Sequence, residues 1–492
     1  MFSFASQVIG AAFTFGLTLF LVRKLGPTDY GILALAVGIG LVLQLLSDFG
    51  IPHAAARFTA ESPTDRVHVA AVLRTALALK LLTTAVMVIG LVLLAPLIAD
   101  AYGVDDLTLP LRLMAIAVAA QGIGGLFLSW FTALGRVSVA LPYALVESTF
   151  ETSASVLFVL LGAGAAGAAA GRAIGFTVAG VLVAALAFRL VGGSIAKAAR
   201  ERSFPGREIL GYGAVIVLIN TAIAIFGRLD VLIIGWILGP ADAGQFDAAL
   251  RITMFLLYPG IAVAAGFAPR LAAGRRSASD TALFMLALRY TILFYLLLVV
   301  PTVVWAKPIS GLLLGDSFSA SASVLAVLAP AVVLFGIGEV LAVGVNYLGA
   351  AKSRVPLAIG ALLINGLIDV ILVPEIGIIT GAIGTGVALI VYVGGHVRIY
   401  QRKIGVSFAN LVPAVARGLV AASVAAAVLF AFGTEHLSLF AVLVAPPLAI
   451  LGYLGVLVAL RELSPNELRT ALALIRGQLR RGAADAAPVQ GT

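Results

Sequence analysis

The sequence is a succession of apolar runs, each about as long as a bilayer is thick, joined by short polar connections. About 20 apolar residues suffice for one helical span. The runs predict helices at 2–22, 31–52, 75–99, 111–134, 143–162, 169–191, 209–238, 244–268, 282–306, 322–348, 357–374, 380–400, 411–432 and 438–460. Composition agrees: 61% of residues are hydrophobic and 11% charged, against roughly 25% charged in soluble domains. The expected fold class is therefore an all-α polytopic membrane protein of about 14 transmembrane helices. Met1 to Leu21 is hydrophobic enough for a signal peptide but has no basic start and no small-x-small cleavage site, so it reads as the first span. Past Arg461 the tail holds a basic amphipathic stretch, Pro465 to Arg481, that reads as surface-lying, followed by a polar end.

Lys and Arg fall on alternate connections, 21 on one side of the predicted bundle and 3 on the other. Positive loops are retained in the cytoplasm, which places both termini there, supports an even number of spans, and makes the chain a multi-pass protein of the cytoplasmic (inner) membrane. The same bias accounts for most of the +9 net charge. Anionic lipid headgroups suffice as partners for it, and no nucleic acid is called for. The absence of cysteine excludes disulfides, thiol nucleophiles and Cys-based metal sites.

An internal repeat sets the organisation. Leu25-Gly26-Pro27-Thr28-Asp29-Tyr30-Gly31 returns as Leu238-Gly239-Pro240-Ala241-Asp242-Ala243-Gly244, with five of seven positions identical. The same spacing relates Arg57 to Arg270, and a spacing longer by one relates Leu134-Gly135 to Leu348-Gly349 and Pro142 to Pro356. A six-helix unit is even, so the two copies run parallel. The expected units are two pseudo-symmetric six-helix lobes, 1–200 and 201–405, then two added helices in 406–462 and a cytoplasmic tail, 463–492. Within the motif, Gly ends a helix, Pro prevents its continuation and Asp is placed to cap the next helix, which a purely structural hairpin would explain.

Phe20 to Gly31, followed by Ser47-Asp48-Phe49-Gly50-Ile51 and Arg57, resembles the Wzx-type O-antigen and exopolysaccharide flippases, as does Arg228-Leu229-Asp230 ahead of the second Leu-Gly-Pro. These belong to the MOP superfamily, with the lipid II flippases and MATE exporters. The resemblance covers the first twelve helices and implies transfer of an undecaprenyl-diphosphate-linked oligosaccharide between leaflets by alternating access, for cell-surface polysaccharide assembly. It also implies polysaccharide polymerase and glycosyltransferases as working partners, and an interior-facing Arg23. A headgroup-snorkelling Arg23 is the competing reading.

Charges inside spans are costly and usually face the protein interior or a water-filled cavity. A diphosphate calls for arginines, whose planar fork donates two parallel hydrogen bonds to phosphate oxygens. Arg23, Arg172, Arg228, Arg251 and Arg289 are the candidates, with Asn220, Asn346 and Tyr347 for the sugars. Asp230, Glu339 and Asp369 could carry a coupling H+ or Na+. Asp247 lies four residues before Arg251, at the spacing of an intrahelical ion pair. Arg228 and Asp230 point about 200° apart on one helix and cannot pair with each other. Lys80 and Glu147 are further charges within spans, and Glu147 lies near a span end. Neither a Walker motif nor a cluster with metal-ligand spacing is present, so no cofactor and no enzymatic chemistry are expected. A membrane glycosyltransferase, polymerase or ligase would need a larger extracytoplasmic loop than Lys307 to Ser321. The remaining alternative is a MATE-like, ion-coupled exporter of small amphipathic molecules, which would favour a more acidic lobe.

Overall fold

A computed structural model describes residues 2–201, 204–257, 278–347, 349–435 and 437–463. The described residues are helical nearly throughout, because an unpaired backbone amide is prohibitively costly in hydrocarbon. Ten stretches among them are long and apolar enough to cross a membrane. Leu82, Leu93, Leu97, Leu161, Leu363 and Leu439 are exposed, as lipid-facing side chains are.

The first bundle comprises α1 (Phe2–Asp48), α2 (Ile51–Glu61), α3 (Arg66–Tyr102), α4 (Thr108–Ala133), α5 (Ala140–Leu160) and α6 (Gly164–Glu201). The second comprises α7 (Gly206–Ile237), α8 (Pro240–Phe255), α9 (Ala278–Val304), α10 (Ala306–Leu314), α11 (Ser321–Tyr347), α12 (Val355–Ile376) and α13 (Ile379–Ile404). The last two helices, α14 (Val412–Ala431) and α15 (Leu439–Ala459), pair with each other and lean on α9.

Three local expectations change. The first motif is a corner rather than a loop: α1 runs through it with one non-helical residue, Gly26 at φ 70 and ψ 178. Its repeat, Gly239, adopts φ 98 and ψ 176, so the duplication holds at the level of backbone angles. The N-cap of α8 is Gly239, which has no side chain to offer, and Asp242 stands in the first turn of α8, where a negative charge suits the free amides and the helix dipole. The span expected at 31–52 ends at Asp48, where Phe49 (φ 40) and Gly50 (φ 67) turn the chain into the separate helix α2. Ile51, Ala54, Ala55 and Phe58 of α2 are buried while Arg57 and Glu61 are exposed and paired at 3.7 Å, so α2 is amphipathic. The third change is α10, a two-turn helix that the sequence reading merges into the connection after α9.

One large apolar core, reaching from Leu17 and Leu35 through Leu111 and Phe246 to Leu325 and Leu389, belongs to both bundles. It is centred on the motifs. Here the seventh residue of each motif is tied to the other copy: a Cβ on Gly31 would stand 1.6 Å from the Pro240 carbonyl oxygen, and one on Gly244 2.2 Å from that of Pro27. Only glycine permits backbones to approach so closely. Farther from the motifs each bundle has a core of its own, around Trp130 and Phe131 in the first and around Phe284 and Tyr400 in the second.

Candidate functional site

Between the bundles lies an open cavity of about 620 Å³ lined by α1, α5, α6 and α8. Its α5–α6 wall is set by a glycine stripe. Gly167, Gly171 and Gly175 recur every four residues on one face of α6, and added Cβ atoms there would meet Phe158, Ser155 and Glu151 of α5 at 2.9, 2.1 and 2.7 Å. Such contact locks the two helices in register. It places Arg172 beside Glu151, with Nη1 donating to Oε1 at 2.8 Å. The Arg172 guanidinium also sits 5.0 Å from the Phe176 ring centroid, a favourable cation–π distance.

Across the cavity, Asp247 of α8 is fully buried and accepts three hydrogen bonds. Tyr30 Oη donates to Oδ2 at 2.8 Å, Arg228 Nη1 to Oδ1 at 2.8 Å, and Arg251 Nε to Oδ2 at 3.1 Å. The expected Asp247–Arg251 pair is thus formed, with a second arginine and a tyrosine from the other bundle added to it. Two arginines against one carboxylate leave a positive excess. Arg251 and Arg172 line the cavity and Arg228 stands behind them, so three of the five candidate arginines converge.

The other two do not. Arg23 leaves the cavity and donates Nε to the Leu313 carbonyl at 3.1 Å and Nη2 to that of Leu312, binding the C-terminal end of α10. Free carbonyls and the helix dipole make that end attractive to a cation. Arg289 donates Nε to Glu462 Oε1 at 2.6 Å, while Arg417 Nη1 donates to Glu462 Oε2 at 2.7 Å, so Arg289 clasps the end of α15 to α9 and α14. Asn346 accepts from Arg354 Nη1 at 2.9 Å and is committed there. The side chains of Asn220 and Tyr347, and all of Arg270, lie outside the described residues.

A second polar cluster lies within the second bundle. Asp230 faces away from Arg228, as their spacing on one helix requires; it accepts from Asn365 Nδ2 at 2.6 Å and Thr385 Oγ1 at 2.8 Å. Asp369 is fully buried in the same cluster, and its two oxygens and Asn365 Oδ1 have no hydrogen-bond partner among the described residues. Gly384 makes room: its Cβ would stand 2.6 Å from Asn365 Oδ1 and 2.9 Å from Asp369 Oδ1. Asp230 and Thr385 also open onto an apolar cavity of about 650 Å³. Glu339 is not part of this cluster and lines a smaller space of about 410 Å³ with Phe226, Phe335 and Tyr392.

Sequence reasoning missed the partners more than the charges. Asn365 and Asp369 are four apart in an otherwise apolar span, a visible signal; Thr385 carried none. Lys80 is fully buried, donating to Ser47 Oγ at 3.1 Å and to Asp48, so the Ser47-Asp48-Phe49-Gly50 motif is the end of α1 held by a lysine from α3. Glu147, near a span end, lies one turn before Glu151 on α5 and accepts from Ser148 Oγ at 3.0 Å.

The sequence family described as "Polysaccharide biosynthesis protein" matches residues 1–272, more than half of the chain. Similar over 411 residues at 22% identity, covering 82% of this chain and 83% of the relative, is the "Probable low-salt glycan biosynthesis flippase Agl15" of Haloferax volcanii. Among solved structures, "Lipid II flippase MurJ, inward closed conformation" superposes with a TM-score of 0.71 at 14% identity, covering 94% of this chain and 98% of that one. An inward-facing MATE-family multidrug transporter of the MOP superfamily gives 0.68 at 17% identity, covering 81% and 96%. The fold is thus the one these transporters share, and the chain belongs to the polysaccharide biosynthesis protein family.

Proposed function

We propose that the chain is a flippase that carries an undecaprenyl-diphosphate-linked oligosaccharide across the cytoplasmic membrane by alternating access, for assembly of a surface glycan. The observation that carries this reading is the convergence of Arg172, Arg228 and Arg251 on one interior cavity at the seam of the two bundles. In that site of low dielectric a diphosphate finds cations already positioned, and charge-assisted hydrogen bonds are about twice as strong as neutral ones. The family and the flippase Agl15 support a glycan as cargo. With the arginine-rich loops in the cytoplasm, the motif contact closes the extracytoplasmic end and the cavity loads from the cytoplasmic side. Glycosyltransferases would then act upstream of the transfer and polymerase downstream of it.

The cluster of Asp230, Asn365, Asp369 and Thr385 fits a coupling cation. Its ligand atoms are all oxygens, three of them buried without a donor, and hard cations prefer such a set. A sodium ion or a proton bound there would offset one of the two negative charges of the facing carboxylates Asp230 and Asp369. Replacing Asp369 by Asn would remove the dependence of transport on that cation, and dependence retained in the variant would refute the assignment.

The test of the main reading uses purified protein in proteoliposomes with a fluorescent lipid-linked oligosaccharide and a leaflet-specific quencher. Arg172→Ala and Arg251→Ala should each lower the transfer rate at least tenfold with insertion unchanged; wild-type rates in both would refute it. One observation favours the exporter alternative: Glu339 with Phe226, Phe335 and Tyr392 offers a carboxylate among aromatic rings, which suits an amphipathic cation. Efflux of such a cation that is lost in Glu339→Gln, with no glycan transfer, would decide for it.

A further inference from the structure

Of the three donors to Asp247, Arg228 and Arg251 belong to the same bundle as the carboxylate, and only Tyr30 reaches it from the other. Tyr30 is the sixth residue of the first motif, next to the glycine that meets the Pro240 carbonyl across the seam. Its ring is buried and stands edge-on to Phe318 of the second bundle, with 6.1 Å between centroids. Its hydroxyl ends on Asp247 Oδ2, which also accepts from Arg251. Tyr30, Asp247, Arg251 and Arg172 all line the one cavity. A single buried side chain thus joins the motif contact, the seam and the cavity.

Resting on the diphosphate reading of that cavity, we propose that Tyr30 couples the bound diphosphate to the seam: its hydroxyl bonds Asp247 when the cavity is empty and a phosphate oxygen when it is loaded. A phosphate beside Arg251 brings negative charge up to Asp247, so two anions compete for one set of donors. Arg251 turns to the phosphate, Arg228 stays with Asp247, and the tyrosine hydroxyl changes acceptor with its proton retained. No covalent bond changes. The exchange matters because of which bundle holds each partner. Tyr30 on Asp247 is a hydrogen bond across the seam, and the bundles cannot part there without leaving a buried carboxylate short of a donor. Tyr30 on a phosphate held by Arg172 lies within the first bundle, since α1 and α6 both belong to it. Loading therefore removes a tie that the empty protein must break, and the ligand favours the parted state by that difference in contacts. A hydrogen bond to an ionised group is worth about ten- to a hundredfold in such an equilibrium. The motif glycines set the close approach but carry no group that answers to a ligand; Tyr30 does.

The chain has no cysteine, so Asp100→Cys and Glu375→Cys, exposed positions at the motif ends of α3 and α12, accept spin labels without background. Distances between the labels, measured by double electron resonance on the purified full-length protein, count parted and closed molecules. Farnesyl diphosphate is the probe, with its affinity measured on the same samples by titration calorimetry. In this labelled parent the probe should raise the ratio of parted to closed molecules by about tenfold or more. Tyr30→Phe keeps the ring on Phe318 and loses the hydroxyl. It should raise that ratio by about ten- to a hundredfold with no probe present, and saturating probe should then change it by less than about twofold. A side chain that only packed would leave the response to the probe intact. If Tyr30→Phe folds poorly, Asp247→Asn with Arg228→Met weakens the same bond from the other side at unchanged net charge, and the response should again shrink. Probe binding that leaves the ratio unchanged in the parent, or an equal response in parent and variants, would overturn the coupling and leave the cavity reading intact. If the parent binds no probe, or binds it equally well after Arg251→Ala, both readings fall.

Discussion

Replacing Gly31 by Ala tests whether the two motifs form a latch between the bundles. The new Cβ would sit 1.6 Å from the Pro240 carbonyl oxygen, far inside the 3.0 Å that real Cβ atoms respect. At Gly244 the clash is milder, 2.2 Å from the Pro27 oxygen. Both obstacles are backbone, so no side-chain rotation relieves them. Overpacking of this kind costs about 1–3 kcal/mol, and the Gly31 case belongs at the upper end. A penalty of about 2–3 kcal/mol confined to the state in which the motifs touch shifts the two-state equilibrium by roughly 30- to 150-fold towards separation. The two contacts share one interface, so the double variant should shift it by less than the sum of the singles. The chain has no cysteine, so Thr18→Cys in the cavity reports access without background. Its modification by an impermeant thiol reagent should accelerate from the motif face in Gly31→Ala, and less in Gly244→Ala. Unchanged access from both faces in Gly31→Ala would refute the latch.

Other consequences follow from the buried charges and the helix seam. Asp247→Asn leaves Arg228 and Arg251 without their carboxylate, at a cost of about 3–5 kcal/mol; thermal unfolding in detergent should fall sharply and recover in part when Arg228→Met is added. Lys80→Ala strips the end of α1 of its buried cation and leaves Asp48 unpaired, so a loss of roughly 2–3 kcal/mol is expected by the same measurement, and an unchanged midpoint would contradict the pairing. Gly171→Ala sets a Cβ 2.1 Å from Ser155 Oγ and 2.4 Å from its backbone nitrogen. It should separate α5 from α6, cost about 2 kcal/mol, and slow glycan transfer by drawing Arg172 away from the cavity, whereas Gly125→Ala, with nothing within 4 Å, should do neither.

Much of the fold was legible because insertion in a membrane is a local property of the chain. Each apolar run must satisfy its own backbone as a helix, and helices were accordingly expected within a few residues of where they lie at α4, α7, α11 and α15. Two short helices escaped for the same reason. In α2 burial depends on a face presented to α3 and α4, and α10 is an apolar continuation of α9 broken only at Trp305. The repeat was visible as identical letters, but its purpose was not. A hairpin explains the Gly-Pro pair, while the seventh glycine is explained only by the copy of the motif in the other bundle.

The sequence by itself determined that the chain crosses a membrane many times, that it is duplicated, and which charges lie inside. Apolar length, letter identity and residue type are all one-dimensional quantities. What each charge does was decided by tertiary structure alone, because a buried ion is defined by the partner that another helix brings to it. Five arginines looked equivalent in the sequence; Glu151 and Asp247 hold three of them at the cavity, a helix end takes Arg23, and Glu462 takes Arg289.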